Sequence, residues 1–259
     1  MSDSTIRALS TTPVKGTRLH SVDRVVLDKA GARGDRRFYV IDGRDRMVNA
    51  KQLGELTALV AHYSEDERRL QISFPDGHAV QGEIRLGETV ETRFYSEPVP
   101  AQLIDGVWSG ALSEYAGQPL RLVRALDGGA VDRGPEGSVT LISSASLRKL
   151  AEVGDREGID PRRFRMLIEV DGIDAHAEDQ WVGRSARIGE ARVRFRGHVG
   201  RCLITSRDPE TGRIDVPTLD ILERYRSGLN TTEPLPFGIY GQVLEPGAVR
   251  VGDAVAIEG

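Results

Sequence analysis

The chain has almost none of the cysteine that disulfides and iron–sulfur clusters require, since one residue of 259, Cys202, is a cysteine. A single cysteine excludes an intramolecular disulfide, and a thiol that stays free is typical of a reducing compartment. It also excludes a four-cysteine iron–sulfur cluster within this chain. Any redox chemistry here therefore takes its electrons from another protein or from a small donor.

Long apolar runs and an excess of positive charge are also missing. The segment Met1–Arg7 contains no apolar stretch long enough for a secretory signal or a membrane span, so we expect a cytoplasmic protein. The net charge is −4, with 35 Lys and Arg against 39 Asp and Glu, whereas nucleic-acid-binding domains carry a basic footprint. We therefore expect neither a membrane nor a nucleic acid as a partner.

Common catalytic motifs are absent as well. The five histidines are scattered without the paired spacing of a zinc site, and the sequence has neither a G-x-S-x-G motif nor a phosphate-binding loop of the G-x-x-x-x-G-K kind. His62 falls in a predicted strand and His78 in a predicted turn, which favours structural roles for both. His198, four residues before Cys202, is the histidine with a candidate role at a functional site.

Short segments rich in β-branched or aromatic residues are what the first part of the chain does contain. They predict strands at Val22–Leu27, Phe38–Ile41, Leu56–Tyr63, Leu70–Phe74, Ala79–Ile84 and Thr89–Phe94. The turn residues Pro75-Asp76-Gly77 predict a hairpin between the fourth and fifth of these strands. Strands at such close spacing are typical of a sandwich or a barrel.

The composition changes after residue 105. Residues 126–137 are rich in Gly, Pro and charge and predict a linker, so we divide the chain into domains at 1–126 and 127–259. Ser144 or Ser146 is expected to cap a helix. The other elements predicted here are a helix at Val107–Tyr115, strands at Leu120–Ala125 and Ser138–Ile142, a helix ending at Val153 and a helix at Leu219–Tyr225. The predicted fold is mainly β (α+β), with a few short helices.

The residues alone leave two interpretations of Cys202 open. Free cysteines are often small core residues, but neighbouring cations such as Arg201 and Arg207 favour the thiolate, which is a nucleophile and a metal ligand. Two basic clusters, Gly34–Arg37 and Arg162–Arg165, are equally open to two interpretations. They are either solvated surface charge or an anion site, because guanidinium groups bind phosphate in a bidentate manner.

A series of motifs along the whole chain resembles the MOSC-domain family, in the form with an N-terminal β-barrel domain before the MOSC domain. This is the arrangement of the mitochondrial amidoxime-reducing component and its bacterial relatives. The joint order and spacing of the motifs carries the resemblance, rather than any one of them. The matching segments are Thr12–Lys15, Gly34–Val40, Met47–Lys51, Leu141–Leu147, Ala177–Trp181, Arg201-Cys202 with Thr205, Asp208–Gly212, Phe237–Gly241 and Pro246–Asp253.

The resemblance implies that Cys202 ligates molybdenum beside the two dithiolene sulfurs of a pterin, the molybdenum cofactor (Mo-molybdopterin). Thiolate suits this role as a soft ligand. A predicted strand-to-helix junction holds two serines, and a helix N-terminus favours the anionic tail of the cofactor. The residues expected to bind the cofactor are Lys15, Arg36, Ser143, Ser144, Arg165, Arg201 and Thr205. The resemblance also associates the chain with pyridoxal phosphate binding.

The reaction that the resemblance implies is the reduction of an N-hydroxylated or N-oxide compound by oxygen-atom abstraction at molybdenum. Two electrons and two protons then release the oxygen as water, and the cofactor performs the difficult step. Without an attached ferredoxin-like segment, we expect a separate donor protein of the ferredoxin, flavodoxin or cytochrome b5 type. Asp208 is expected to orient the backbone around the metal or to handle a proton, although Asp before Pro is also a common turn residue.

Two departures from the family's motifs affect the expected site. The family's Asn-Phe-Arg-Pro-Asn element appears as Arg163–Leu167, so that Met166 and Leu167 replace Pro and Asn, and Gly16 replaces a Ser. The Asn contacts the cofactor in the relatives, so one hydrogen bond is lost. Two alternative functions stay open: a carrier of sulfur (as a Cys202 persulfide) or of the molybdenum cofactor, and a cofactor-free small-molecule binding protein, since fold does not fix function.

Overall fold

In its described residues, the chain alternates between short strands and turns, with α-helices at three places. The computed structural model describes residues 4–66, 68–94, 97–126 and 134–258. In those residues the strands are β1 Thr5–Thr11, β2 His20–Val22, β3 Arg24–Asp28, β4 Gly31–Ala32, β5 Phe38–Asp42, β6 Met47–Val48, β7 Val60–Ser64, β8 Arg69–Ser73, β9 Ala79–Glu83, β10 Arg85–Phe94, β11 Glu97–Asp105, β12 Leu120–Ala125, β13 Val139–Ser143, β14 Ile168–Asp171, β15 Ser185–Ile188, β16 Ala191–Gly200, β17 Pro236–Glu245, β18 Gly247–Arg250 and β19 Val255–Ile257. The helices are α1 Trp108–Ala116, α2 Ser144–Val153 and α3 Thr218–Arg226.

The strands form one large sheet and three smaller ones. The eight-stranded sheet has the order β19-β15-β16-β17-β13-β14-β1-β2, and the five-stranded sheet has the order β10-β11-β12-β5-β6. Three-stranded sheets are formed by β18-β3-β4 and by β7-β8-β9. Most neighbours are antiparallel, while β13 and β14 are parallel and are joined through α2, as a crossover connection requires. The predicted mainly β fold with short helices is confirmed.

The first strands of the chain belong to sheets that are completed by strands from its second half. Strand β1 pairs with β14, with Leu9 opposite Ile168, and β3 pairs with β18, with Val25 opposite Val249. The two predicted parts therefore interlock through backbone hydrogen bonds. The division between 1–126 and 127–259 stays a prediction.

Separate hydrophobic clusters lie behind these sheets. One fills the large sheet around Leu9, Leu141 and Phe195, and another fills the first part of the chain around Leu56 and Trp108. A third cluster, between α2, α3 and the start of β17, includes the rings of Phe164 and Phe237, whose centroids are 4.8 Å apart. This third cluster supports one wall of the site described below.

Most of the locally determined elements occur where the sequence predicts them. The hairpin at Pro75–Gly77 forms between β8 and β9, and the three helices and the strand Leu120–Ala125 are found within about one residue of their predicted bounds. The strand predicted at Leu56–Tyr63 is wrong in its first half. Residues Gly54–Ala58 form a 3-10 turn, in which the Thr57 hydroxyl donates to the Gly54 carbonyl. Residues 127–133 of the predicted linker lie outside the described residues.

The cap of α2 is also corrected by one residue. Neither Ser144 nor Ser146 is the capping residue, because Ser143 has the extended backbone of an N-cap and its Oγ accepts from the Ser146 amide at 3.0 Å. Ser144 is the first residue of the helix. Across the described ranges, no helix combines the length and the apolar character needed to cross a membrane.

Candidate active site

Cys202 lies two residues after the end of β16 and is the N-cap of the 3-10 turn Leu203–Ser206. Its backbone is held because the Thr205 amide and hydroxyl both donate to the Cys202 carbonyl, at 3.1 and 3.0 Å. Thr205 Oγ1 and Ser206 Oγ in turn lie 2.7 and 2.9 Å from Thr218 Oγ1 at the start of α3. The side chain of Cys202 is exposed. The interpretation of Cys202 as a buried core residue is therefore wrong. The thiol is available to a ligand.

Cys202 lines a cavity of about 520 Å³, a volume within the range of small-molecule sites. The walls come from both parts of the chain. Lys15, Arg36 and Lys51 contribute from the first part, and Arg165 and Cys202 contribute from the second. The fold thus brings the two basic clusters and the cysteine to one site, although Arg36 and Cys202 are 166 positions apart in the chain.

Positive charge predominates in this cavity. Its described lining residues include five cationic side chains and one carboxylate, Glu233. Lys15 is almost fully buried, with 7% of its surface exposed, and a buried cation favours an anion nearby. The cationic side chains are Lys15, Arg36, Lys51, Arg165 and Arg201. The arrangement is suited to an anionic ligand.

The side chains of two of these arginines, Arg36 and Arg165, are oriented by hydrogen bonds to backbone carbonyls. Arg36 pairs with Asp35 and donates from Nη2 to the Arg165 carbonyl at 2.9 Å. Arg165 donates from Nη2 to the Thr17 carbonyl at 2.8 Å. Both arginines have left-handed backbone conformations, with φ of 48° and 55°, which cost about 1–2 kcal/mol for a side chain with a Cβ. The fold maintains this strain and fixes both side chains at the cavity.

Arg201 lines the cavity but uses its donors to hold the wall together. Its Nε donates to the Phe237 carbonyl at 2.8 Å, its Nη1 donates to the Phe164 carbonyl at 2.9 Å, and its Nη2 contacts Met166 Sδ at 3.1 Å. Its guanidinium also lies 5.3 Å from the centroid of the Phe164 ring, a cation–π distance. Arg201 is therefore mainly a clamp on segment 164–166.

Three predicted site residues do not line this cavity. At the N-terminus of α2, the Glu178 carboxylate accepts from the Ser143 amide at 3.2 Å and from Ser146 Oγ at 2.6 Å, while Ser144 Oγ donates to Glu169 at 2.8 Å. A helix N-terminus favours an anion, and here the carboxyl group of Glu178 already occupies that position. Burial raises the pKa of Glu178, although these hydrogen bonds oppose the shift.

Asp208 is the third predicted site residue outside the cavity, and it forms a turn. Its Oδ1 accepts from the Glu210 amide at 3.1 Å and from the amide and hydroxyl of Thr211 at 2.7 and 2.8 Å. Partial burial works to raise its pKa, but the hydrogen bonds from Thr211 hold that pKa below the usual value. The geometry favours the turn interpretation over proton handling.

His198 is also outside the cavity. Its backbone amide donates to Thr232 Oγ1 at 2.8 Å, and its ring is buried 3.9 Å from an oxygen of Asp179. Burial lowers the pKa of the His198 ring. Glu233 lines the cavity but was not predicted as a site residue, because it lies in a loop outside every motif.

The comparisons with known proteins agree with this architecture. The family model of the MOSC domain matches residues 128–256, and that of the MOSC N-terminal beta barrel domain matches residues 3–105. Human mitochondrial amidoxime reducing component 2 is 41% identical over 99 residues, which are 36% of this chain and 29% of that protein. The match thus spans less than a third of that relative's length.

Two further similarities extend over nearly the whole chain. Mitochondrial amidoxime-reducing component 1 of Xenopus laevis is 25% identical over 275 residues, 94% of this chain and 79% of that protein. The solved structure of the YuaD protein from Bacillus subtilis covers 98% of this chain and 94% of its own, with 11% identity and a TM-score of 0.46. None of these similarities supports the association with pyridoxal phosphate. With both family models matched in order, the chain belongs to the MOSC-domain family, as its motifs predicted.

Proposed function

We propose that this protein is a molybdenum-cofactor-dependent oxidoreductase that reduces N-hydroxylated or N-oxide compounds, with Cys202 as the protein ligand of the metal. The observation that carries the proposal is the exposed thiol of Cys202 in a cavity whose lining includes five cationic side chains. Membership of the MOSC-domain family supports it. The relatives named amidoxime-reducing components support the choice of N-oxygenated substrates.

The donor set of the cavity fits this cofactor. In the described part of the chain, no group of three or more His, Cys, Asp and Glu side chains is placed to hold a metal ion, and a pterin dithiolene brings two sulfur ligands of its own. One thiolate from the protein completes such a soft sulfur set. The cationic walls suit the phosphate of the cofactor's tail, which guanidinium groups bind in a bidentate manner.

Different residues of the chain have different roles in this proposal. Cys202 ligates the metal, and Lys15, Arg36 and Arg165 bind the anionic tail. The backbone contacts of Arg36 and Arg165 orient both guanidinium groups before the ligand arrives, which lowers the entropy cost of binding. Ser143, Ser144 and Asp208 take no part, because their polar groups already serve contacts within the protein.

The chemistry is divided between the cofactor and the chain. When bound, the cofactor supplies the two-electron reduction that breaks an N–O bond and releases the oxygen as water. Phe164, Met166 and Leu167 form an apolar part of the wall. A separate donor protein provides the electrons, and protons enter through the open mouth at which Cys202 is exposed.

The test is to express the protein in a host that makes molybdenum cofactor, and to measure molybdenum by mass spectrometry and pterin by fluorescence. We expect near-stoichiometric metal and pterin in the wild type. In Cys202→Ala the metal should be lost, or its electronic spectrum changed. Arg36→Ala and Arg165→Ala should both lose pterin. Arg213→Ala, which removes an exposed arginine outside the cavity, is the matched control and should keep it.

The proposal fails if neither metal nor pterin binds while a known molybdoenzyme loads normally in the same cells. A Cys202 adduct of one extra sulfur in the intact mass, without metal, would then identify a sulfur carrier. If Cys202→Ala leaves whatever activity is present unchanged, the chain is a cofactor-free binding protein.

A further inference from the structure

Two of the histidines that are scattered in the sequence meet where the edges of two sheets come together. Strand β2 is the last strand of the eight-stranded sheet, and β7 is an outer strand of the sheet β7-β8-β9. The rings of His20 in β2 and His62 in β7 have centroids 4.5 Å apart and planes inclined by 38°. Neither histidine lines the cavity at Cys202.

The His20 ring is fixed by a hydrogen bond to the neighbouring sheet. Its Nε2 lies 2.8 Å from the Ala61 carbonyl oxygen, and because a carbonyl only accepts, Nε2 carries the proton and donates. The lone pair of the neutral ring is then on Nδ1. Histidines that bind metal ions commonly donate one ring N–H to a backbone carbonyl in this way, while the other nitrogen is the ligand. His20 is thus oriented as a metal ligand is.

The His62 ring is the more accessible partner. The residue is exposed, so its ring is able to turn toward a bound ion. Desolvation of the ring, followed by repulsion from His20, lowers the pKa of His62 below its usual value. Neutral imidazole is the form that binds metal ions, so this shift keeps His62 competent as a ligand near neutral pH.

The separation of the two rings fits a pair of ligands on one metal ion. An ion about 2.0–2.1 Å from an imidazole nitrogen lies about 3.2 Å from the centroid of that ring. Two centroids 4.5 Å apart therefore subtend an angle of about 90° at the ion. A tetrahedral zinc site would need centroids about 5.2 Å apart, whereas tetragonal Ni²⁺ and Cu²⁺ sites have ligands at right angles.

We propose that His20 and His62 form a binding site for a divalent transition metal ion, Ni²⁺ or Cu²⁺, with both imidazoles as ligands and water in the other positions. Within the described ranges, no third His, Cys, Asp or Glu is placed to complete the set, so the ion exchanges with solution. A bound ion joins the edges of two sheets and stabilises the folded state by mass action. The inference goes beyond the proposed function and does not depend on the molybdenum cofactor.

The test is calorimetric titration of the tag-free protein with Ni²⁺ at pH 7.5, since Ni²⁺, unlike Cu²⁺, does not oxidise the exposed thiol of Cys202. Affinity at this site should fall about tenfold or more in His20→Gln and in His62→Gln, because each removes one of two protein ligands. His62→Gln is the milder variant, since its side chain is exposed, whereas His20→Gln also loses the hydrogen bond to Ala61. His78→Gln alters an exposed histidine between β8 and β9 and is the matched control, which should bind like wild type.

Nuclear magnetic resonance locates the ion, because Cys202 is also an exposed ligand for Ni²⁺. In the wild type, paramagnetic Ni²⁺ should broaden the imidazole signals of His20 and His62. Ni²⁺ should also raise the thermal unfolding midpoint of the wild type more than that of His62→Gln. A protein that binds no Ni²⁺, or that binds it with the same affinity after both substitutions, would overturn the proposal. Broadening confined to the surroundings of Cys202 would overturn it as well.

Discussion

The buried imidazole of His176 makes the stability of the protein depend on pH below neutrality. Both of its ring nitrogens are buried and have no hydrogen-bond partner among the described residues, and the ring is 5.6 and 5.9 Å from those of Tyr225 and Phe237. Burial, followed by the positive charge of Arg226, lowers the pKa of His176 from 6.5 to about 4. Protonation of His176 is thus opposed in the folded state.

The sign and size of the effect follow from linkage. Between pH 6.5 and 4 the unfolded state binds a proton at His176 that the folded state excludes, so stability is full above pH 6.5 and falls as the pH is lowered. At pH 4.5 such a shift corresponds to about 2.5 kcal/mol. His176 as a whole residue is half-buried, although its two ring nitrogens are enclosed, and halving for solvent screening leaves about 1–1.5 kcal/mol.

The assay is urea unfolding of the wild type, His176→Phe and Tyr225→Phe at pH 7.5 and pH 4.5. As the pH falls, the free energy of unfolding of His176→Phe should improve relative to wild type by about 1–1.5 kcal/mol. The positive φ of 65° at this position adds a cost to the variant, but that cost is independent of pH. Tyr225→Phe is the control, because burial raises the pKa of Tyr225 and the hydroxyl stays protonated throughout. A parallel loss of stability in wild type and His176→Phe would refute the reasoning.

Two more substitutions test the packing around the site. Gly54→Ala should destabilise the fold by about 1–3 kcal/mol, because the added Cβ would lie 2.4 Å from Arg207 Nη1 and 2.5 Å from a backbone carbonyl. Gly110→Ala, at an open helical position, should instead stabilise the fold by about 0.5–1 kcal/mol. If the two variants shifted the thermal unfolding midpoint equally, the close contact at Gly54 would be contradicted. Arg163→Met removes two hydrogen bonds to Asp215, at 2.7 and 2.6 Å. The substitution should lower the free energy of unfolding in urea by about 1–3 kcal/mol. An unchanged free energy of unfolding would mean that the Arg163–Asp215 pair contributes no net stability.

The sequence predicts elements that are determined by a few neighbouring residues. The hairpin between β8 and β9 is one of these, because Gly77 has a φ of 88° and the Asp76 side chain accepts from the His78 amide at 2.9 Å. The 3-10 turn at Gly54–Ala58 could not be predicted in the same way. Its apolar residues resemble a strand, and it is fixed by Leu56 packing in a core formed by distant segments.

The candidate site was predicted unevenly for the same reason. Lys15, Arg36, Arg165 and Cys202 were found through motifs, and the structure brings all four to one cavity. The role expected for Ser143 depended on a free helix N-terminus, but Glu178, 35 residues further along the chain, is bound there. Pairings over such distances have no local signal in one sequence.

The segment that departs from the family's motif is compensated by packing within this chain. Leu167 is 2% exposed and belongs to the core of the large sheet, while Met166 is held by Arg201, which also binds the Phe164 carbonyl. The backbone on both sides of Arg165 is therefore fixed without the proline of the relatives. Because the Arg165 carbonyl in turn accepts from Arg36, the two arginines keep their places at the cavity. Under the proposed function, the charge at Arg36 and Arg165 is what the chain offers to the anionic cofactor in place of that amide, which is why those two variants test the proposal most directly.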